Sequence, residues 1–315
     1  MIVVTGGEGF IGQNLIKELE KRGNIGIVSL DTKSTDLDDI FNWMMQNAKD
    51  IDVVFHLGAI TDTTEMNIDK FDQFNVASSM YIWNICSGDN IPLIYASSAA
   101  TYGNGKKGFD DEKNIVDLKP LNPYGWSKQQ FDIWAETYSV HPPFWCGLKF
   151  FNVYGKGEEH KGKMASVVLH KYNQIVESYK TNKITLYKSH NPKYKDGEQL
   201  RDFVYVDDVV DVCIWMWENR PESGIYNVGT GKARTFKDLA QAVFTSLKVK
   251  YEIEYIDIPA KIRDKYQYFT EATVKKLRTA GYSKPFTELE EGVEKYIQKL
   301  NDAYNVENPI DDNNE

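Results

Sequence analysis

Tyr124 and Lys128 stand one helical turn apart in the run Asn122-Pro123-Tyr124-Gly125-Trp126-Ser127-Lys128. Asn122 suits a helix N-cap, and Pro123 the first helical position, where its missing N–H is not needed. A helix beginning there places the phenol and the ammonium on one face. A cation beside a phenol favours phenolate and draws its pKa down from about 10. Such a pair can move a proton on and off a substrate hydroxyl. The spacing alone is weak, because Tyr-x-x-x-Lys also occurs at Tyr102/Lys106 and Tyr179/Lys183. Glycines at 103 and 105 argue against a helix joining the first pair, and the polar run around the third reads as a frayed helix end. Only the middle pair has a clean helix start and follows a serine pair, Ser97-Ser98, that can share its site.

A second chemistry-bearing stretch lies at the N-terminus, where a strand at residues 2–5 runs into Gly6-Gly7-Glu8-Gly9-Phe10-Ile11-Gly12 and then an amphipathic helix. Glycines at 6, 9 and 12, or 7, 9 and 12, let the backbone turn tightly and approach a pyrophosphate. The free N–H groups at the helix start hold the anion. A second strand at 26–30 ends in Asp31-Thr32. An acid there accepts hydrogen bonds from the adenosine ribose, or caps the next turn. Its charge repels a 2′-phosphate and favours NAD over NADP, an effect that Lys33 partly offsets.

Stepping along the chain, these residues fall at the ends of alternating strands and helices. Residues 52–59 form a third strand ending in Leu57-Gly58-Ala59, small enough to lie against the cofactor; His56 within it reads as structural. Asn75, on a helix predicted over 68–87, points to the cofactor edge or to solvent. Residues 91–96 form a fourth strand with the serine pair at its carboxyl end, where ligands of open α/β sheets bind. A fifth strand at 144–150 leads into Phe151-Asn152-Val153-Tyr154-Gly155. The alternation predicts an α/β fold, a doubly wound parallel sheet (Rossmann) with a smaller C-terminal substrate lobe. Residues 1–155 form the dinucleotide-binding domain, its sheet completed by parts of 200–230. Residues 156–304 form an interleaved substrate-binding lobe, and 305–315 a disordered acidic tail.

The 315 residues carry a net charge of −9, which disfavours nucleic acid or an anionic membrane as partner. No signal peptide or membrane-spanning run is apparent. Cys86, Cys146 and Cys213 are odd in number and lie in apolar contexts. They read as reduced core thiols of a cytoplasmic protein, without metal-type spacing.

The segments Thr5 to Gly12, Ser97-Ser98-Ala99 and Tyr124 to Lys128 occur in this order and together resemble the extended short-chain dehydrogenase/reductases that act on nucleotide-sugars. Further segments narrow the resemblance to the ADP-heptose 6-epimerase branch of that family, over roughly residues 1–300. They are Ala96 to Gly103, Phe151 to Gly155, His160 to Val167, Arg201 to Val206 and Tyr266 to Thr270. The resemblance implies an isomerase: a tightly bound NADP or NAD oxidises C6 of an ADP-heptose transiently and reduces it again from the other face. It implies Tyr124 as one acid/base and Lys161 as the second. Ser98 then hydrogen-bonds the reacting oxygen, and Lys128 holds the nicotinamide ribose and the phenolate. Val153 joins the cofactor contacts, while Asn152, Lys163, His170, Tyr187, Arg201 and Tyr266 join Ser98 around the substrate. A homo-oligomer is implied as well.

Taken without the family, Lys161 also reads as a diphosphate contact or a solvated loop charge, and Arg201 suits bidentate contact with a diphosphate or a structural ion pair with Asp202 or another acid. The chain departs from the family in two places. The link after the second strand is short, without the lysines that accompany an NADP 2′-phosphate, and Lys163 stands where serine is usual. The rival readings are a C4-epimerase or a dehydratase of the same fold, or a catalytically silent NAD(P)-binding protein. A dehydratase usually needs an acid near the serine pair, where Thr101-Tyr102 follow instead.

Overall fold

The computed structural model describes residues 1–177, 183–250, 252–263 and 266–307. Strand β1 (Ile2–Thr5) is wholly buried and leads through the glycine loop into α1 (Phe10–Lys21). Then come β2 (Ile27–Leu30), α2 (Leu37–Asn47) and β3 (Val53–His56). The helix predicted over 68–87 is divided into α3 (Ile68–Phe71), a π-helical turn at Asp72–Ala77, and α4 (Ser78–Gly88). Strand β4 (Leu93–Ser98) extends two residues past the predicted end, so both serines belong to it. It is followed by α5 (Pro123–Thr137) and β5 (Trp145–Phe150).

Beyond β5 the chain forms β6 (Asn152–Tyr154), α6 (Val167–Glu177), β7 (Lys183–Tyr187), β8 (Leu200–Arg201) and β9 (Phe203–Tyr205). Helix α7 (Val206–Asn219) then returns to pack on α1, and β10 (Gly224–Val228) pairs with β5. The remainder comprises β11 (Arg234–Thr235), α8 (Phe236–Leu247), β12 (Glu252–Ile256), α9 (Ala260–Arg263), α10 (Lys275–Thr279) and α11 (Leu289–Glu307). Helix α11 thus runs past residue 305, where the tail was expected to begin. The rest of that tail, and Tyr179 of the third Tyr/Lys pair, lie outside the described residues.

The central sheet is six-stranded and parallel, in the order β10-β5-β4-β3-β1-β2. Parallel strands covered on both faces must be apolar on both, and β1 meets that demand by alternation. Ile2 and Val4 face the core beneath α1, α7, α8 and α11, whereas Val3 faces that beneath α2, α4 and α5. From β1 the chain winds one way to β2 and the other way to β3, β4 and β5. The crevice at this switch is where ligands of open sheets lie.

Three two-stranded ladders build the smaller lobe beyond the sheet: β6 with β9, β8 with β11, and β7 with β12. Cys86, Cys146 and Cys213 are buried and free. Among the described residues no helix is long and apolar enough to cross a membrane.

Candidate active site

The glycine loop is tight for reasons a single methyl group exposes. A Cβ on Gly12 would sit 2.2 Å from the Gly6 carbonyl oxygen, so helix and loop touch backbone to backbone. Gly6, with φ of +69°, would place one 2.5 Å from the Gly58 nitrogen, pressing β1 against the turn after β3. Gly9 is the N-cap of α1 and has no side chain to cap with. The amides of Phe10, Ile11 and Gly12 occupy the first turn, where an α-helix leaves N–H groups without internal acceptors. At the end of β2, Asp31 is buried, and its two oxygens accept from the Glu8 and Lys33 amides at 3.1 and 3.0 Å.

A cavity of about 760 Å³ runs from this loop to the ends of β4 and β6. It is lined by Gly6, Gly9 to Gly12, Asp31, Thr32 and Leu57 to Ala59 at one end, and by Ser98, Tyr124, Lys128, Asn152, Val153 and Lys161 at the other. A dinucleotide fits these residues. The orphan amides face the place of a diphosphate, and Asp31 is fixed where a ribose would lie. Asn75 is a different case. Its Oδ1 accepts from the Ile60 amide, and its Nδ2 donates to the Ile60 carbonyl and to Ser127 Oγ, at 2.8, 2.9 and 3.0 Å. The side chain is spent tying the turn after β3 to α5, so it points neither to the cofactor edge nor to solvent.

Helix α5 starts as its sequence dictates. The Asn122 side chain accepts from the Gly125 amide at 2.8 Å, and Pro123 occupies the first turn. Gly125 lets the helix close on the turn after β4, since a Cβ there would lie 2.8 Å from the Ala100 carbonyl oxygen. This approach brings the Tyr124 phenol beside Ser98, whose side chain favours its ionised form. Lys128 is buried and donates to the Ala96 carbonyl at 2.8 Å. Burial pulls its pKa down to about 8, against the attraction of Asp132.

The expected effect of Lys128 on Tyr124 is not found. Burial pushes the Tyr124 pKa up, with the Ser98 side chain opposing it and the Asp132 charge adding to it. The physical reason is the order of titration: burial brings Lys128 down to about 8, so its charge is lost before the phenol, pushed up by burial, can ionise. The other Tyr/Lys pairs serve elsewhere. Tyr102 donates to Asn227 Oδ1 at 2.7 Å, and Lys183 opens β7 opposite Glu252. His56 is buried between Thr5 and Ser79 hydroxyls, and burial drops its pKa to about 3, so it stays neutral.

Beneath Ser98 and Tyr124 lies a charged layer that sequence reading missed. Asp132 accepts from Ser97 Oγ at 2.7 Å, from the Tyr95 hydroxyl at 3.1 Å and from Lys149 Nζ at 2.5 Å. Lys149 also donates to Thr101 Oγ1 at 2.8 Å, and neither charged side chain is open to solvent. The signal was present in two places: a lysine inside the otherwise uncharged strand Trp-Cys-Gly-Leu-Lys-Phe, and an acid one helical turn beyond Lys128.

The other side of the cleft is irregular. Lys161 sits on a 3₁₀ turn, half-buried, its Nζ 5.3 Å from the centre of the Phe10 ring. Burial lowers its pKa and the Glu158 carboxylate opposes that. Asn152 is exposed at the start of β6. Lys163, His170, Tyr187, Arg201 and Tyr266 do not line the same cavity. Lys163 is exposed, and its carbonyl lies 3.4 Å from His170 Nε2. Arg201 is buried, donates to the Leu200 carbonyl at 2.8 Å and to the Gln267 carbonyl, and is sandwiched between the rings of Phe236 and Tyr266. Tyr187 meets Tyr266 edge to face. No carboxylate among the described residues pairs with Arg201. Asp202 is instead turned to the amides of Thr230, Gly231 and Ala272.

Fold, glycine cradle and Ser/Tyr/Lys grouping define a dinucleotide-dependent enzyme. The chain belongs to the NAD dependent epimerase/dehydratase family, whose pattern it matches over residues 2–229. It is 44% identical to the ADP-L-glycero-D-manno-heptose-6-epimerase of Fusobacterium nucleatum, over 95% of this chain and 97% of that one. The enzyme of the same name from Nitratidesulfovibrio vulgaris is likewise 44% identical with the same coverage. The crystal structure of the Helicobacter pylori ADP-L-glycero-D-manno-heptose-6-epimerase superposes with a TM-score of 0.78 at 27% identity, covering 95% of this chain and 96% of that one.

Proposed function

We infer that the protein converts ADP-D-glycero-D-manno-heptose to its L-glycero epimer by transient oxidation at C6. The observation that carries this reading is that a phenol and an ammonium reach one cleft from opposite faces of the sheet. Tyr124 arrives on α5, which covers one face, and Lys161 lies over the start of α1, which covers the other. Inverting a carbon through a ketone requires its oxygen to lose a proton in one orientation and regain it in another. The nicotinamide supplies the redox chemistry when bound. Tyr124 takes the hydroxyl proton, and Ser98, beside it in the cavity, holds the reacting oxygen. Lys161 returns a proton after the sugar has turned, and its lowered pKa makes it a readier donor.

Arg201, a buried cation without an acid partner among the described residues, takes the substrate diphosphate, with Tyr187 and Tyr266 beside it and Asn152, Lys163 and His170 toward the sugar. Asp31, fixed by two amides, accepts from ribose hydroxyls and disfavours a 2′-phosphate, which supports NAD over NADP. Residues 1–155 with parts of 200–230 hold the dinucleotide, and 156–304 the sugar nucleotide. A cytoplasmic homo-oligomer rests on the family resemblance.

The test is to denature the purified protein, identify the released dinucleotide, and incubate native enzyme with the ADP-heptose while following C6 configuration by NMR. Epimerisation with released NAD is the expected result. Absence of any dinucleotide, or of turnover with cofactor supplied, overturns the reading.

A further inference from the structure

Glu158 has no solvent exposure, although it lies in an irregular loop. Burying a carboxylate is unfavourable unless hydrogen bonds compensate. Here one oxygen accepts from the Gly155 amide at 3.2 Å and from Ser166 Oγ at 2.7 Å, and the other from the Ser166 amide at 2.5 Å. Gly155 and Ser166 are the two ends of the strap that carries Lys161, so one side chain joins both ends. The Glu158 carbonyl accepts from the Lys161 amide at 2.9 Å, which folds the strap's middle. From outside, Gln13 and Asn14 of α1 each donate to strap carbonyls, at Gly157 and Lys156, both at 2.8 Å. Lys161 Nζ itself has no hydrogen-bond acceptor among the described residues; it only rests over Phe10. Its position is therefore that of the strap.

We propose that Glu158 is a positioning residue for Lys161, holding closed the strap that carries it. The proposal rests on the reading of Lys161 as an acid/base. The surroundings leave Glu158 this role. Lys156 and Glu159 pair with each other at the surface, and His160 and Lys163 are exposed. Helix α1 presents the neutral Phe10, Gln13 and Asn14, Ser166 stands just before α6, and α11 presents Tyr296, which feels the Glu158 charge. Among these groups only Glu158 acts electrostatically on Lys161, and it raises the pKa that burial lowers.

The test compares Glu158→Gln with Glu159→Gln, a neighbouring acid that hydrogen-bonds the Gly157 amide from the exposed side. Two readouts are taken: the pH profile of epimerisation, and the titration of Lys161 by NMR after ¹³C-methylation, assigned with Lys161→Arg. Glu158→Gln should lower kcat about 10- to 100-fold, with KM little changed, because the acid is misplaced rather than substrate binding lost. Removing the negative charge should also move the alkaline limb of the profile, and the Lys161 titration, to lower pH. Glu159→Gln should do neither. A folded Glu158→Gln protein with unchanged kcat and unchanged Lys161 titration overturns the proposal. Should that variant not fold, Ser166→Ala breaks one tie and keeps the charge; it must lower kcat without moving the titration, and unchanged kcat there is equally fatal. A shifted titration in a protein that turns over no ADP-heptose would leave the role of Glu158 standing and sink the functional reading instead.

Discussion

On one side of the cleft a helix presents Tyr124 and Lys128 at a spacing the backbone itself sets; on the other an irregular strap presents Lys161 alone. The helix side is anchored in the core. Asp132 and Lys149 draw together β4, the turn after it, β5 and α5, and Asn75 adds a tie to the segment after β3. The strap is held by Glu158 and by two side chains of α1. The difference is one of anchoring: in the proposed reaction Tyr124 stands on a helix tied into the core and Lys161 on a strap tied by a few side chains. A fault on the helix side should cost folding as well as rate, whereas one on the strap should cost rate alone.

The largest expected effect is common to both sides. Tyr124→Phe and Lys161→Met should each slow epimerisation by about 10²- to 10⁴-fold in steady-state assays, with cofactor retained. Unchanged turnover in either removes that residue from the mechanism. Stability is where the sides should part. Lys149→Met leaves Asp132 as a buried carboxylate without its ammonium, held only by the Ser97 and Tyr95 hydroxyls, and should lose about 3–5 kcal/mol in urea denaturation, with Lys149→Arg recovering most of it. If Lys149→Met proves no less stable than Lys161→Met, the contrast fails.

A smaller effect is expected in acid. His56, beside the helix side, has its folded pKa depressed from 6.5 to about 3. The unfolded chain therefore takes up the proton first. Stability should fall as pH drops below 6.5, with this residue contributing at most about 1.4 kcal/mol per pH unit until about pH 3. His56→Asn should flatten that slope between pH 7 and 5; an equal slope in both proteins denies His56 the role. The smallest change is expected where both sides share the dinucleotide. Asp31→Ser should shift preference toward NADP by about tenfold, roughly 1.4 kcal/mol, in competition binding.

How far the site was legible depended on whether its parts were local. The Asn122 cap, the Pro123 start and the Tyr124/Lys128 spacing are properties of one helix, and the glycine loop is a property of one turn. Both could be read off neighbouring residues. The π-helical turn at 72–77 could not, because it breaks a pattern that otherwise looks like continuous helix. Nor could the orientation of Asn75: a polar residue on a mostly apolar helix looks alike whether it meets cofactor, solvent or Ser127. The family likeness pointed to Lys161, but nothing local said that Glu158 would be the group holding it.

The chain's own pattern thus determined the parallel α/β sheet, the cradle at the start of α1 and the phenol–ammonium pair. Each follows from periodicity, caps and glycines acting over a few residues. Packing alone decided what the charges do. Lys128 turned to a strand carbonyl, Tyr124 moved up in pKa, Arg201 was left without an acid among the described residues, and Asp202 found backbone amides. Electrostatic effects depend on distance and burial, and both are set by segments far apart in sequence, such as Asp132 with Lys149 and Arg201 with Tyr266.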